Sequence, residues 1–78
     1  MEISLDRLRD GEAGMVERLE LEGPTKRRLI EMGITPGTRV RVLKRAPLGD
    51  PIEISLQGQH LSLRRTEASM LLVELIDE

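Results

Sequence analysis

The chain has 78 residues with no cysteine and no aromatic residue, and its formal net charge is −2. These values exclude disulfides, thiol nucleophiles and thiolate metal sites, and they indicate one small domain, residues 1–78, with an aliphatic core. No stretch approaches the roughly 20 apolar residues that span a bilayer, and the acidic start is unlike a signal peptide, so we expect a cytoplasmic protein.

The charges are unevenly distributed along the chain. Residues 26–65 contain nine Lys or Arg and three Asp or Glu, whereas the remaining residues contain three and eleven. Such asymmetry favours a surface that meets a partner. The alternative is that these are ordinary solvated charges, which mingle once the chain folds.

The N-terminal part predicts a helical turn followed by a strand. Ser4 can cap one turn over residues 4–9, in which Leu5 and Leu8 share a face. Asp10-Gly11 favours a turn, and residues 14–21 are predicted as the first strand.

A short helix is predicted over residues 24–32. Pro24 suits the first helical position, where its missing N–H needs no partner. Thr25, Leu29 and Met32 form the predicted inward stripe. The outer side then holds four residues: Lys26, Arg27, Ile30 and Glu31.

Glycine and proline mark the joint that follows the helix. Gly33 fits a left-handed helix cap, and Pro36-Gly37 fits the two central positions of a type II turn. The next strand, residues 38–45, should place Val40 and Val42 on its inner face. Its outer face should carry Arg39, Arg41 and Arg45.

Residues 52–63 predict a two-residue hairpin around Gln57-Gly58. In that register Ile52 pairs with Leu63, Ile54 with Leu61 and Leu56 with Gln59, which puts the apolar side chains on one face. A slip by one residue would scramble this sorting.

The remaining elements complete a mainly β fold. Residues 46–51 (APLGDP) read as a loop, Thr66 can cap a helical turn over 66–70, and residues 71–75 alternate as a strand. Short strands with tight turns predict a closed barrel of about five strands, because closure would hide the strand edges.

Several ordered motifs resemble the FeoA family, the ferrous iron transport protein A group. They are RRLIEMG (27–33), PGT (36–38), APLGDP (46–51), the Gly58 hairpin and LRRTEA (63–68). The segment SLDRLRDGEAG (4–14) resembles the opening Leu-x-x-Leu-x-x-Gly-x-x-Gly of that family. Gln59 departs from the pattern, since relatives often carry an aromatic residue there.

The resemblance implies an SH3-like barrel without catalytic residues or cofactors, located in the cytosol. It also implies an accessory role to the ferrous iron transporter FeoB, a membrane protein with a cytosolic GTPase domain. The domain would meet the membrane only through that partner, and weak self-association is compatible with such a role.

Nine residues form the predicted partner-binding set. Arginine suits such a surface because its planar fork makes bidentate contacts with carboxylates. Leu48 lies between turn-forming residues, so it is either an exposed loop tip or tucked under the barrel rim. The set is Arg27, Arg28, Ile30, Arg41, Arg45, Leu48, Asp50, Arg64 and Arg65. The predicted structural turns are Gly33, Pro36, Gly37 and Gly58.

Three readings of the basic residues remain open. They form a docking surface for an acidic protein face, a nucleic-acid surface, or solvated charge. Nucleic acid is disfavoured by the overall acidity and by the lack of aromatic side chains for base stacking. A GTPase-activating role for Arg28 or Arg45, and a barrel domain like those of iron-dependent transcriptional regulators, are the alternative functions.

Metal binding and catalysis have little support in the sequence. His60 is the only histidine, and the hairpin should point it outward opposite Ser55 without converging ligands. No nucleophile elbow or P-loop motif is present. We therefore expect neither iron binding by the isolated domain nor enzymatic activity.

Overall fold

The computed structural model describes residues 1–76. It is mainly β, with six antiparallel strands in one sheet. The elements in chain order are β1 (Glu2–Ser4), a 3-10 turn (Leu5–Arg7), β2 (Ala13–Leu19), α1 (Gly23–Glu31), β3 (Arg39–Arg45), β4 (Ile52–Leu56), β5 (Gln59–Leu63), α2 (Arg65–Ala68) and β6 (Leu71–Ile76).

The strand count and the barrel closure differ from the prediction. The sheet order is β1-β6-β2-β3-β4-β5, so within residues 1–76 the outermost strands β1 and β5 do not pair with each other. The sixth strand is β1, which has only three residues and pairs with β6. So short a segment carries no readable alternation, which is why the sequence did not predict it.

The predicted hairpin is confirmed residue by residue. Ile52 pairs with Leu63, Ile54 with Leu61 and Leu56 with Gln59. Gln57 and Gly58 have φ values of 50° and 82°, and two consecutive positive φ angles are what a tight two-residue hairpin turn requires. The glycine accepts this geometry without steric cost.

Helix α1 ends as its sequence predicted. Gly33 has a φ of 101°, its N–H donates to the Ile30 carbonyl, and the Ile34 N–H donates to the Leu29 carbonyl at 3.0 Å. These two bonds form a Schellman motif, which satisfies carbonyls that the helix leaves open. The Thr38 N–H donates to the Thr35 carbonyl, closing the turn around Pro36-Gly37.

The inward stripe of α1 is partly different from the prediction. Leu29 is fully buried and Met32 packs against the core, but Thr25 is exposed. Thr25 lies in the first turn of the helix, where it lines an open groove with Leu21 and Met70. The first helical turn therefore overhangs the core.

Helix α1 contacts α2 and the end of β4. Arg28 of α1 forms an ion pair with Glu67 of α2. Just beyond the C-terminus of α1, a Cβ on Gly33 would lie 3.3 Å from Leu56, the last residue before the β4–β5 turn.

The core is aliphatic throughout. Leu5 and Leu8 of the N-terminal segment are buried in it, as their three-residue spacing predicted. Gly14 marks the tightest crossing of β2 and β6, because a Cβ there would lie 2.7 Å from Val73. The fully buried larger side chains are Leu5, Leu8, Val16, Leu29, Ile34, Val40, Val42, Ile52, Ile54, Leu56, Leu63, Leu71 and Val73.

The N-terminal caps also differ in detail from the prediction. Ser4 precedes the 3-10 turn, but its side chain makes no capping hydrogen bond. Thr66 lies inside α2, and the residue that caps this helix is Arg64, whose backbone N–H donates to Glu67 Oε1 at 2.9 Å. The acid three residues after the cap thus starts the helix.

Candidate docking surface

The outer face of α1 combines apolar and basic side chains. Arg27 is exposed, and Ile30 keeps 42% of its surface accessible although it is a large aliphatic residue. Both line a shallow groove of about 300 Å³ together with Lys26 and Glu31. The sequence correctly placed these four residues on the outer side of the helix.

Arg28 joins the two helices. Its guanidinium forms an ion pair with Glu67, whose side chain is only 11% exposed, and it also contacts the Met32 sulfur. Because the other carboxylate oxygen of Glu67 accepts the Arg64 N–H, one acid holds α1 and the start of α2 together. Sequence reasoning missed the part played by Glu67, and its place at the third helical position was the available signal.

The β3–β4 loop lies against the start of α2. Asp50 Oδ1 accepts the backbone N–H of Arg65 at 3.0 Å, which connects two predicted site residues. Leu48 is 93% exposed, so the first of its two predicted placements, an exposed loop tip, is correct. Arg64 and Arg65 are both exposed beside this loop.

Arg45 lies on the opposite face of β3 from the one that was predicted. The pairing of β3 with β4 shifts between Val42 and Lys44, so Arg45 pairs with the buried Ile52. A β-bulge of this kind inserts one residue and reverses the alternation beyond it. The face assignment from simple alternation was therefore wrong for Arg45.

The guanidinium of Arg45 is used inside the molecule. Its Nη2 donates to the carbonyls of Asp6 at 2.6 Å and Leu8 at 2.5 Å, and its Nη1 donates to Asp10 Oδ1 at 3.1 Å. The side chain is 25% exposed. These bonds fasten the N-terminal segment to the end of β3.

Arg39 and Arg41 share the outer face of the sheet, as predicted. Arg41 lies between Ala13 and Ser55 in the strand register, and its Nη1 donates to the Gly11 carbonyl at 2.6 Å. With Ser55 and Gln57, the two arginines line an open groove of about 390 Å³. Arg41 therefore belongs to a sheet surface, while Arg28, Asp50 and Arg65 belong to a surface around α2.

The predicted set is therefore divided among three places. One part is the helical surface, which we define as Arg27, Arg28, Ile30, Leu48, Asp50, Arg64 and Arg65. Arg41 lies on the sheet face and Arg45 is a structural residue. Contacts join α1, α2 and the β3–β4 loop into the helical surface.

The pKa is raised for two cationic groups, and both lie near strands β1, β2 and β6. The pKa of Arg18 is raised above its ordinary value because Arg18 donates a hydrogen bond to Glu2, with Glu20 adding attraction. A hydrogen bond to Glu74 likewise raises the pKa of the Met1 amino group. Both groups are exposed, and neither belongs to the helical surface.

His60 is exposed and pairs with Ser55, as predicted. Residues 1–76 contain no group of three or more His, Cys, Asp or Glu side chains that could hold a metal ion. In the same residues, no helix has the length and apolar character needed to cross a bilayer.

The FeoA domain family matches residues 3–75. The chain belongs to the FeoA family. The solved FeoA protein of Chlorobium tepidum is 36% identical, with a TM-score of 0.91, and the match covers 96% of this chain and 71% of that one. The SH3-like architecture implied by the motifs is confirmed, with an extra strand and, within residues 1–76, without hydrogen-bonded closure.

In two further relatives the matching domain is part of a larger protein. A fusion of Fe(2+) transport protein A with the Fe(2+) transporter FeoB in Porphyromonas gingivalis is 36% identical over 72 residues, which is 92% of this chain and 8% of the fusion. A manganese-dependent transcriptional repressor is 27% identical with a TM-score of 0.87, and the match covers 96% of this chain and 37% of the repressor.

Proposed function

We propose that this FeoA domain is a non-enzymatic cytosolic accessory protein of ferrous iron uptake, which docks on the cytosolic part of an FeoB-type transporter and modulates it. The fusion protein of Porphyromonas gingivalis carries the proposal, because there the two proteins form one chain. A tether raises the effective concentration of one module at the other to about the millimolar range. A fused FeoA domain is therefore held close to the transporter, which supports docking as its mode of action.

The side chains of the helical surface support docking better than catalysis. They offer exposed arginines beside the large apolar side chains of Ile30 and Leu48. Arginine is enriched at protein interfaces, and the buried centre of an interface is more apolar than the rest of the surface. The grooves found among residues 1–76 are shallow, and the candidate residues do not form an arrangement of nucleophile, base and orienting group.

Activation of the transporter's GTPase is the second candidate function. An arginine that enters a GTPase site raises hydrolysis by roughly 10³–10⁵. The two arginines considered for that role are engaged within the domain, Arg28 with Glu67 and Arg45 with backbone carbonyls. Entry into a partner's site would break these contacts, so we favour docking without direct participation in hydrolysis.

The transcriptional-regulator alternative requires a DNA-binding part that residues 1–76 do not contain. Such a regulator needs a helix-turn-helix part that enters the major groove. The helices of residues 1–76 have nine and four residues and belong to the barrel-like fold. The likeness to the repressor covers 37% of it, which fits a shared accessory domain.

Titration against the purified cytosolic GTPase domain of an FeoB-type transporter tests the proposal. We expect saturable binding that weakens between about 50 and about 300 mM salt, because exposed charge pairs are screened. GTP turnover, measured in the same samples, should stay within about twofold of its basal rate, far below the effect of an arginine finger. Absence of binding at both salt concentrations would refute docking on the GTPase domain.

A matched pair of variants separates docking from activation. Arg27→Glu reverses an exposed charge on the helical surface and should weaken binding, whereas Arg9→Glu reverses an exposed charge on the N-terminal segment and should not. If turnover rises by orders of magnitude and Arg28→Ala or Arg45→Ala abolishes the rise, the activating reading replaces ours. Preferential binding of single-stranded RNA with a steep salt dependence would also overturn it.

A further inference from the structure

The β3–β4 connection, residues 46–51, is called here the Leu48 loop, and it presents an apolar tip to solvent. Leu48 is 93% exposed, and Pro47 and Pro51 beside it are also exposed. Single exposed leucines are common, but this loop exposes three apolar residues within five positions. In the core of the same domain the large aliphatic side chains are fully buried.

Hydrogen bonds hold the Leu48 loop in shape. The Ala46 N–H donates to the Pro51 carbonyl at 3.0 Å across its base, and the Gly49 N–H donates to the Ala46 carbonyl at 2.7 Å across its tip. Asp50 Oδ1 accepts the Arg65 N–H from α2 at 3.0 Å. Leu48 is thus exposed on a braced loop, and such preorganisation lowers the entropy cost of binding.

The surroundings of the loop are cationic. Arg64 and Arg65 are exposed at the start of α2, which Asp50 connects to the loop. A partner surface that covers Leu48 and the adjoining start of α2 would therefore also meet two exposed arginines. The complementary surface is an apolar socket with carboxylates on its rim, since arginine pairs with carboxylates in bidentate geometry.

We propose that the Leu48 loop is the apolar anchor of the docking interface, with Leu48 inserted into an acid-rimmed apolar socket of the transporter's cytosolic part. This inference rests on the proposed function and adds the contact that dominates it. Interfaces concentrate their binding energy in a few central, fully desolvated side chains surrounded by a polar rim. In this arrangement Leu48 supplies the apolar centre, and Arg64 and Arg65 supply the polar rim.

A lipid surface is the weaker choice of occupant. Stable membrane attachment needs a large apolar face or two separate signals, even when basic residues add attraction to anionic lipids. The tip offers one leucine and two prolines. A protein socket can desolvate so small a tip completely, whereas a bilayer would gain little from it.

The test uses Leu48→Ser, with Met15→Ser as its matched control. Met15 is 42% exposed on β2, where its register partners are Arg39 and Glu74, so it lies on the sheet face. Binding to the full-length transporter in nanodiscs should weaken about 30-fold or more for Leu48→Ser, as expected for a hot spot. Met15→Ser should change the Kd less than about threefold, within the near-neutral range of contacts outside a hot spot.

Two further variants test the form of the anchor. Leu48→Met preserves volume and apolar character, so its Kd should stay within about threefold of the wild-type value, since volume-conserving swaps are tolerated best. Arg64→Glu combined with Arg65→Glu should weaken binding at low salt and flatten its salt dependence, because rim charges act through screened attraction. Unchanged thermal unfolding of all variants would confirm that the fold is intact.

The outcomes distinguish this inference from the function it deepens. If the wild-type domain does not bind the transporter, the proposed function fails. If it binds and Leu48→Ser binds equally well, only the anchor fails. Equal Leu48-dependent binding to nanodiscs without transporter would assign the tip to lipid, and Leu48-dependent dimerisation in analytical ultracentrifugation would assign it to a second copy; either overturns the proposal.

Discussion

Two connections flank β3, and they have similar residue types but different roles. Each contains at least one proline, at least one glycine with positive φ, and one large aliphatic residue. Between α1 and β3 the aliphatic residue is Ile34, which is fully buried, whereas between β3 and β4 it is Leu48, which is 93% exposed. Both connections are hydrogen-bonded, so order alone does not separate a structural corner from a surface that can bind. The two kinds of connection are separated by whether the aliphatic side chain is buried or exposed.

The first connection contributes a buried side chain to the core, and substitution of that side chain should have the largest effect on stability. Ile34→Ala removes a buried side chain beneath the Schellman motif and should lower the free energy of unfolding by about 2–5 kcal/mol. Leu48→Ala should change it by less than about 0.5 kcal/mol, as for other surface substitutions. Chemical denaturation of both variants gives the comparison. Equal losses would show that Leu48 contributes to the folded core after all.

The two last side chains of β3 sharpen the comparison at an intermediate scale. Arg45→Ala leaves the carbonyls of Asp6 and Leu8 without their guanidinium donor and should cost about 1–3 kcal/mol. Lys44→Ala removes an exposed pair with Glu53 at 3.8 Å, which contributes about 0–1 kcal/mol. Thermal unfolding distinguishes them. A larger effect at Lys44 would contradict the structural role assigned to Arg45.

The glycines of the two connections should differ least. Gly33→Ala and Gly49→Ala both place a side chain at positive φ, at 101° and 87°, which costs about 1–2 kcal/mol. At Gly33 the new Cβ would also lie 3.3 Å from Leu56 Cδ2, whereas at Gly49 nothing lies within 4 Å. We expect Gly33→Ala to be the more destabilising by a few tenths of a kcal/mol, since an overpacked contact adds to the strain. Denaturant midpoints measured in parallel would reveal the opposite order if the contact is relieved.

Much of the fold could be predicted from local pattern. The β4–β5 register followed from alternation on both sides of Gln57-Gly58, and the α1–β3 joint followed from the backbone freedom of Gly33 and Gly37. Both signals are local, because the residues that determine the geometry are neighbours in the chain. The three-residue strand β1 carried no such signal and depends on its pairing with β6.

The candidate surface was less predictable because its side chains depend on distant partners. The bulge between Val42 and Lys44 has no marker in the sequence, and it alone moves Arg45 from the surface to the N-terminal segment. The pair of Arg28 with Glu67 spans 39 positions, and the bond of Asp50 to Arg65 spans 15. Seven of the nine residues are exposed, whereas Arg41 and Arg45 are partly buried, and the division of the set into separate surfaces required the fold.

The most direct test of the account is a calorimetric titration of the wild-type domain into an FeoB-type transporter held in nanodiscs. We predict saturable binding with one domain per transporter chain, weaker at higher salt. Heats that do not exceed those of injection into empty nanodiscs would contradict the central claim that this domain acts by binding the transporter.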